Sequence, residues 1–233
     1  MKFDPPLVKT KLIKRYKRFL ADVELPDGSQ ITVHCANPGS MLGLTEPGIN
    51  AWISDSQNPK RKLRYSLEMV EIGSTLVGVN TNHPNKLAVE AIQNGRIPQL
   101  AEFDTLQTEV KYGQNSRIDI LLETEGQPKT FVEVKNVHFQ RQTGIHEFPD
   151  SVTQRGAKHL DEMAREVEAG NRAAMLYVIQ RNDGDVFRIS GDLDPNYEAA
   201  FIRARAAGVE AYAIRCNVTP QAIDAAEPVA LEV

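Results

Sequence analysis

Three side chains in this 233-residue chain have types and spacing that could do chemistry together. Glu133 and Lys135 lie two apart in FVEVKNVHF, residues 131–139. Phe131, Val132, Val134 and Val137 are residue types that fill a β-strand. Positions two apart on a strand share a face, so an acid and a base sit on one side of what reads as a core strand. Asp119 lies on the preceding strand-like run, SRIDILLE. There Arg117, Asp119 and Leu121 alternate with Ile118, Ile120 and Leu122. ETEGQPK separates the two runs, and a hairpin centred on Gly126 sets Asp119 opposite Glu133. Opposed carboxylates repel. A divalent cation would compensate, because Mg²⁺ takes oxygen ligands, often one or two carboxylates plus phosphate oxygens of a substrate. Such a metal lowers the pKa of a bound water and stabilises a leaving oxygen. Lys135 would orient or deprotonate the attacking water, or neutralise developing charge. The expectation is that Asp119, Glu133 and Lys135 converge in a cleft between the sheet and a helix that follows residue 151. The plain alternative is a solvated sheet face on which Glu133 and Lys135 pair with each other. The same tripeptide occurs at Glu109-Val110-Lys111, but only Asp104 stands shortly upstream of it, too close for a separate paired strand.

The elements that must position these residues fall into two groups. LVKTKLIKR, RFLADVEL, SQITVHCA, NAWISDS, YSLEMVEIG and TLVGVNT are short strand-like runs. Turn signals at Pro26-Asp27-Gly28, Asn37-Pro38-Gly39, Pro47-Gly48 and Asn58-Pro59 separate them. This predicts a small sandwich or barrel over residues 1–82. The pattern then changes. NHPNKLAVEAIQNG predicts a helix, with Asn82 or Asn85 as cap, Pro84 in the first turn, Leu87, Ala88, Ala91 and Ile92 as the apolar stripe, and Gly95 as the stop. Three strands follow: LQTEVKYG, SRIDILLE and KTFVEVKNV. DSVTQRGAKHLDEMAREVEAGN predicts a long amphipathic helix with Val152, Leu160, Met163 and Val167 inward. RAAMLYVIQR reads as a fully buried strand, DPNYEAAFIRARAAG as a helix and VEAYAIRCNV as a strand. Residues 83–233 therefore read as αβββαβαβ, a mixed sheet with flanking helices.

Composition is that of a soluble globular protein, 41% apolar and 25% charged. No apolar run approaches the ~18 residues of a membrane span, and the amino terminus lacks an apolar signal core. A cytoplasmic protein with no membrane partner is expected, and a homo-oligomer is left open. Cys35 and Cys216 provide neither a disulfide framework nor metal-ligand spacing. The net charge of −4 argues against nucleic acid, but its distribution does not: residues 1–70 carry 11 Lys/Arg and 7 Asp/Glu, the remainder 16 and 24. Within KTKLIKRYKRF, Lys9, Lys11, Lys14, Arg15, Lys17 and Arg18 interleave with Tyr16 and Phe19. Lys60, Arg61, Lys62 and Arg64 form a second basic run. Basic strands with aromatics suit a groove that follows a phosphate backbone, or a charged edge strand that resists aggregation.

Asp119 followed one strand later by Glu133-x-Lys135 resembles the PD-(D/E)xK nuclease superfamily, whose core is α-β-β-β-α-β. Over its full length the chain resembles the sugar fermentation stimulation protein A family. The stretches that carry this are KRFLADVEL, HCANPGSM, SRIDILL, FVEVKNV, FPDSVTQRGAKHL and AAMLYVIQR. The resemblance implies an α/β protein with an added all-β domain. An oligonucleotide-binding (OB) type barrel occupies 1–82 and a PD-(D/E)xK restriction-endonuclease-like αβββαβ core 83–233. It implies DNA binding with little sequence specificity, and Mg²⁺ or Mn²⁺ as cofactor. Asp119 and Glu133 would be metal ligands, Lys135 the catalytic lysine, and Glu90 on the preceding helix a third ligand, against its reading as a solvated acid. Ile118 stands where the superfamily often has Pro. In TQRGAKHL the resemblance favours phosphate contacts from Arg155 or Lys158, against an ordinary basic turn answered by Asp161 and Glu162. His159 is expected to pack or hydrogen-bond, and His34 and His138 to be structural. The leading expectation is a DNA-binding protein that hydrolyses phosphodiester bonds. The alternatives are a non-catalytic DNA-binding regulator linked to sugar (maltose) metabolism, and an enzyme acting on another substrate.

Overall fold

Alternating burial builds the first unit. In β1 (Val8–Tyr16), Thr10 and Leu12 are buried while Lys9 and Lys11 are exposed. In β2 (Leu20–Glu24), Ala21 and Val23 point inward. With β3 (Gln30–Cys35), β4 (Asn50–Asp55), β5 (Tyr65–Ile72) and β6 (Thr75–Gly78) they form a sheet of order β3-β2-β1-β4-β5-β6. β3 also pairs with β5 through His34↔Ser66 and Cys35↔Leu67, so five strands close into a barrel. Closure satisfies edges that would otherwise template aggregation. Leu12, Val23, Val33, Ile53, Leu67 and Val77 fill its core.

The second unit contains α1 (Pro84–Gln93), β7 (Thr105–Tyr112), β8 (Ser116–Glu123), β9 (Thr130–Val137), β10 (Phe139–Gln142), β11 (Gly144–Phe148), α2 (Gln154–Glu168), β12 (Arg172–Ile179), β13 (Gly184–Ile189), α3 (Pro195–Ala206), β14 (Glu210–Val218), β15 (Ile223–Pro228) and β16 (Ala230–Glu232). This computed structural model describes residues 1–112 and 116–232. The main sheet has the order β15-β14-β12-β9-β8-β7. β9, β12 and β14 are parallel, and the others antiparallel. β12 is central and covered on both faces, which explains its continuous apolar run. One face carries α1, whose Leu87, Ala88, Ala91 and Ile92 pack with Val132, Leu176 and Ile214. The other carries α2 and α3, through Leu160, Met163, Tyr197 and Phe201 against Met175 and Tyr177.

The two units pack as one body. Trp52 and Met69 of the barrel join the apolar cluster beneath α1. Gly78 donates its N–H to the Gln180 carbonyl at 2.8 Å, an approach so close that an added Cβ would stand 2.7 Å from the Gln180 side chain. Buried Glu68 of β5 lies 2.7 Å from His83 Nε2, just before α1.

Several local expectations need correction. The residue that caps α1 is His83, without a side-chain cap bond, rather than Asn82 or Asn85. Val152 is 64% exposed, because α2 starts later, with Thr153 as its cap. β10, β11, β13, β15 and β16 have no counterpart in the sequence reading. β10, β11, β13 and β16 form a small second sheet, and FQRQ and ALE are too short or polar to show a period.

Candidate active site

The hairpin centred on Gly126 has the expected register: Ile120↔Val132, Leu121↔Phe131 and Leu122↔Thr130. Gly126 has φ +72°, the left-handed conformation that favours glycine. The ladder stops, however, before Asp119 and Glu133. The Asp119 side chain takes over: Oδ2 accepts the Val134 N–H at 2.7 Å, and Oδ1 accepts from Asn85 Nδ2 of α1 at 2.8 Å. On the other flank, the β7–β8 pairing passes from Thr108↔Ile120 to Val110↔Ile118, and Glu109 between them has φ +56°. Alternation breaks here, which corrects the simple facing read from the sequence. Ile118 packs with Tyr112, Leu121 and Phe131, while Ile120 and Leu122 pack under α1.

Glu133 is only 2% exposed. Its Oε1 accepts from Lys135 Nζ at 2.7 Å and from His159 Nδ1 on α2. Arg155 Nε donates to His159 Nε2 at 3.3 Å, so the ring proton belongs on Nδ1. Burial pushes the Glu133 carboxyl up, but His159 and Lys135 outweigh it, and the group stays below the ordinary glutamate range. Glu133 and Lys135 do pair, as the plain alternative supposed, but in a buried setting rather than on a solvated face.

Glu133 Oε2 is buried with no hydrogen-bond partner. A buried anionic oxygen without a donor is costly, and a cation is a suitable partner. Asp119 is raised, first by burial and then by the Glu133 charge, against the Val134 N–H, Asn85 and Lys135. The two carboxylates therefore feel each other without sharing a ladder position. The Tyr112 hydroxyl is also buried without a partner, and burial followed by the Glu133 charge pushes it up. Two carboxylates match the usual protein contribution to Mg²⁺. Among the described residues, no three His, Cys, Asp or Glu side chains form a metal cage.

Glu90 does not join them. Its carboxylate lies 2.9 Å from the Met1 amino group. Asn85 reaches Asp119 instead, and positions five apart on an α-helix diverge by about 140°. A helix that aims Asn85 at the site turns Glu90 away. Arg155 acts on His159, and Lys158 stands exposed, 3.5 Å from Glu162. The basic run of β1 is dispersed. Lys9 lies over the Trp52 ring at 5.2 Å, Lys14 pairs with Asp22 at 3.4 Å, and Lys11 and Lys17 are exposed. Only Arg15 and Arg18 turn toward the second unit, at a cleft they share with Thr153 and His138. His34 stacks on Phe19, and His138 bonds to Asn136. Sequence reasoning missed Asn85, Tyr112 and the bond from His159 to Glu133. The spacing of Arg155 and His159 on one helix face was the available signal.

Comparison with known proteins gives the family. Residues 13–79 match the SfsA N-terminal OB domain, and residues 82–222 match the sugar fermentation stimulation protein RE domain. A sugar fermentation stimulation protein homolog of Agrobacterium fabrum is 55% identical over 232 residues, covering 100% of this chain and 97% of the relative. The homolog of Brucella anthropi is 57% identical and covers 100% of both chains. The structure of Pyrococcus furiosus SfsA in complex with Ca²⁺ superposes with a TM-score of 0.87 at 23% identity, over 100% of this chain and 98% of that one. The closed barrel is thus an OB domain joined to a restriction-endonuclease-like unit, and the chain belongs to the sugar fermentation stimulation protein A (SfsA) family.

Proposed function

We propose that the protein binds DNA with little sequence specificity and hydrolyses phosphodiester bonds at Asp119, Glu133 and Lys135, with Mg²⁺ or Mn²⁺ as cofactor. The observation that carries this reading is buried Glu133, with one oxygen held by Lys135 and His159 and the other without a partner, within the field of a second carboxylate, Asp119. A structural ion pair alone gives no reason to leave that oxygen unsatisfied. Asp119 and Glu133 would hold the cation. When bound, it supplies an acidified water and stabilises charge on the leaving oxygen. The Ca²⁺ complex of the Pyrococcus furiosus relative supports a cation with oxygen ligands.

The chain's own groups do the rest. His159, held by Arg155, fixes one Glu133 oxygen and leaves Oε2 available. The Lys135 ammonium neutralises charge that builds on the phosphate oxygens during attack. Burial keeps these interactions in a low dielectric, where they are strongest. The test is to incubate single-stranded, double-stranded and branched DNA, and RNA, with the protein in Mg²⁺, in Mn²⁺ and in EDTA. Cleavage of at least one substrate, dependent on the metal, is expected. No cleavage of any of them with either metal would overturn the reading.

A further inference from the structure

A cleft of about 690 Å³ separates the barrel from the second unit. Its barrel side is formed by Arg15, Arg18 and the Asn37–Ser40 loop, and its other side by Asn136, His138 and residues 148–153. The terminal nitrogens of Arg15 donate to the carbonyls of Arg18, Asn37, Gly39 and Ser40 at 2.8–3.1 Å. No carboxylate pairs with that guanidinium among the described residues, and its Nε is buried without a partner. Asn136 Nδ2 donates to His138 Nδ1 at 2.8 Å, while Asn136 Oδ1 accepts from Gln180 at 2.6 Å. The His138 proton therefore belongs on Nε2. His138 is 5% exposed, and its Nε2 faces the Asp150 carboxylate. The Arg18 side chain is exposed and has no partner among the described residues. The one acid in the lining is Asp150, 3.5 Å from His138 Nε2, and its Oδ2 accepts from Ser40 Oγ at 3.2 Å and Met41 N–H at 3.1 Å. The amino end of α2 opens on the same cleft, with Thr153 in the lining and no acid in its first turn. The exposed Arg18 guanidinium, without a partner among the described residues and beside a helix amino end, suits a phosphate.

The rim carries a second signal. Four large apolar side chains stand exposed among the described residues: Val152 (64%) lines this cleft, Phe19 (48%) directly follows its lining residue Arg18, and Leu42 (54%) lies two residues past Ser40. Phe19 already stacks on His34, with the rings 9° from parallel. A duplex hides the faces of its bases, whereas unpaired bases cover aromatic and apolar side chains. The cleft volume falls in the range of small-ligand pockets, roughly 300–1,000 Å³, enough for a short stretch of one strand and too little for a duplex. Asn136 follows Lys135 on β9 but points to the opposite face of the strand, whereas α2, which begins at the cleft, carries His159 to Glu133 on the Lys135 face.

We propose that this cleft seats a single-stranded stretch of nucleic acid, with a phosphate against Arg18 and the start of α2 and flanking bases on Phe19 and Val152. The strand leads from there to Glu133 and Lys135, so the preferred substrate has unpaired nucleotides, as a single strand or an overhang. This deepens the phosphodiesterase reading and rests on it only for where the strand leads. The test is fluorescence anisotropy in EDTA with a labelled single-stranded DNA oligonucleotide and the blunt duplex of the same sequence. The single strand binds about tenfold tighter. Phe19→Ala weakens that binding roughly tenfold, the loss of one stacked base. Arg18→Gln weakens it and reduces the slope of log K against log salt by about 0.7, one phosphate contact. Ile202→Ala, the exposed apolar residue away from the cleft, binds like wild type. Equal or tighter binding of the blunt duplex, or wild-type binding by both cleft variants, would overturn the proposal. Strong single-strand binding without cleavage would support the cleft and remove the phosphodiesterase. Cleavage of blunt duplex as fast as single strand would do the reverse.

Discussion

Glu-Val-Lys occurs twice in this chain, and the two copies lie only two strands apart in one sheet. Glu133-Val134-Lys135 sits on β9, between β8 and β12, with Glu133 buried and bonded to His159. Glu109-Val110-Lys111 sits on the edge strand β7, with Glu109 and Lys111 exposed. Identical residues thus meet opposite dielectric conditions. In water the Glu–Lys pair is nearly without consequence. Under burial the same pair has a strong field and an oxygen left without a donor. The copies also touch indirectly, since Asn85 donates to Asp119 at 2.8 Å and to Glu109 at 3.3 Å. Chemistry follows from what surrounds the tripeptide, above all Asp119 and the helix that brings His159.

The largest expected contrast is in turnover. Lys135→Ala lowers metal-dependent cleavage by about 10³-fold, the scale of losing one charge-stabilising group at the reacting centre, while Lys111→Ala stays near wild type. Rates for the two variants on one labelled substrate check this, and equal losses would erase the distinction between the copies.

His159→Ala sharpens it further. His159 is a positioning residue, so activity falls by roughly 10–100-fold, as for groups that orient a metal ligand. His159→Gln, which can still donate to Glu133, recovers part of it. A merely structural histidine would lower stability without changing the divalent-metal concentration needed for half-maximal rate, whereas loss of positioning raises that concentration.

How much of this was legible follows from particular residues. Gly126 fixed the hairpin register, because a left-handed glycine marks the turn. The unbroken apolar run of β12 announced a strand covered on both faces. The break in alternation at Asp119 was hidden, because it goes with a positive φ at Glu109, a residue type with no such signature. Glu90 was misplaced because an amphipathic stripe tells which side of a helix is buried, not which residue its amino-terminal turn presents to a neighbouring strand. The cleft beside α2 was illegible for a different reason. It depends on the Asn37–Ser40 loop meeting Asp150, where an added Cβ on Gly39 would stand 2.7 Å from the carboxylate. No local pattern encodes a contact between segments so distant in sequence.

Smaller effects separate Asp119 from Glu133. Glu133 is held low, so its ionisation contributes stability above the ordinary glutamate range, lost as pH falls through its folded value. Asp119 is raised, so its contribution is full below the ordinary aspartate range and is lost as pH rises through its folded value. The stability of metal-free wild type relative to Asp119→Asn therefore falls as pH rises through that value, by thermal melts in EDTA across the pH range. Mg²⁺ then raises the melting temperature of wild type and not of the variant. A wild-type advantage over Asp119→Asn that grows as pH rises would contradict the assigned direction. The smallest effect belongs to Glu109→Gln. It removes only the charge from the longer of the two Asn85 contacts and leaves turnover within about twofold, in keeping with the weak worth of exposed pairs.

The central claim is that the second copy, and not the first, is a metal-dependent phosphodiesterase site. The most direct measurement is single-turnover cleavage of a labelled strand in Mg²⁺ by wild type, Glu133→Ala and Glu109→Ala, with each protein's fold verified by its melt. Wild type and Glu109→Ala give product, and Glu133→Ala gives none above the EDTA background. Product formed by Glu133→Ala at the wild-type rate would contradict that claim.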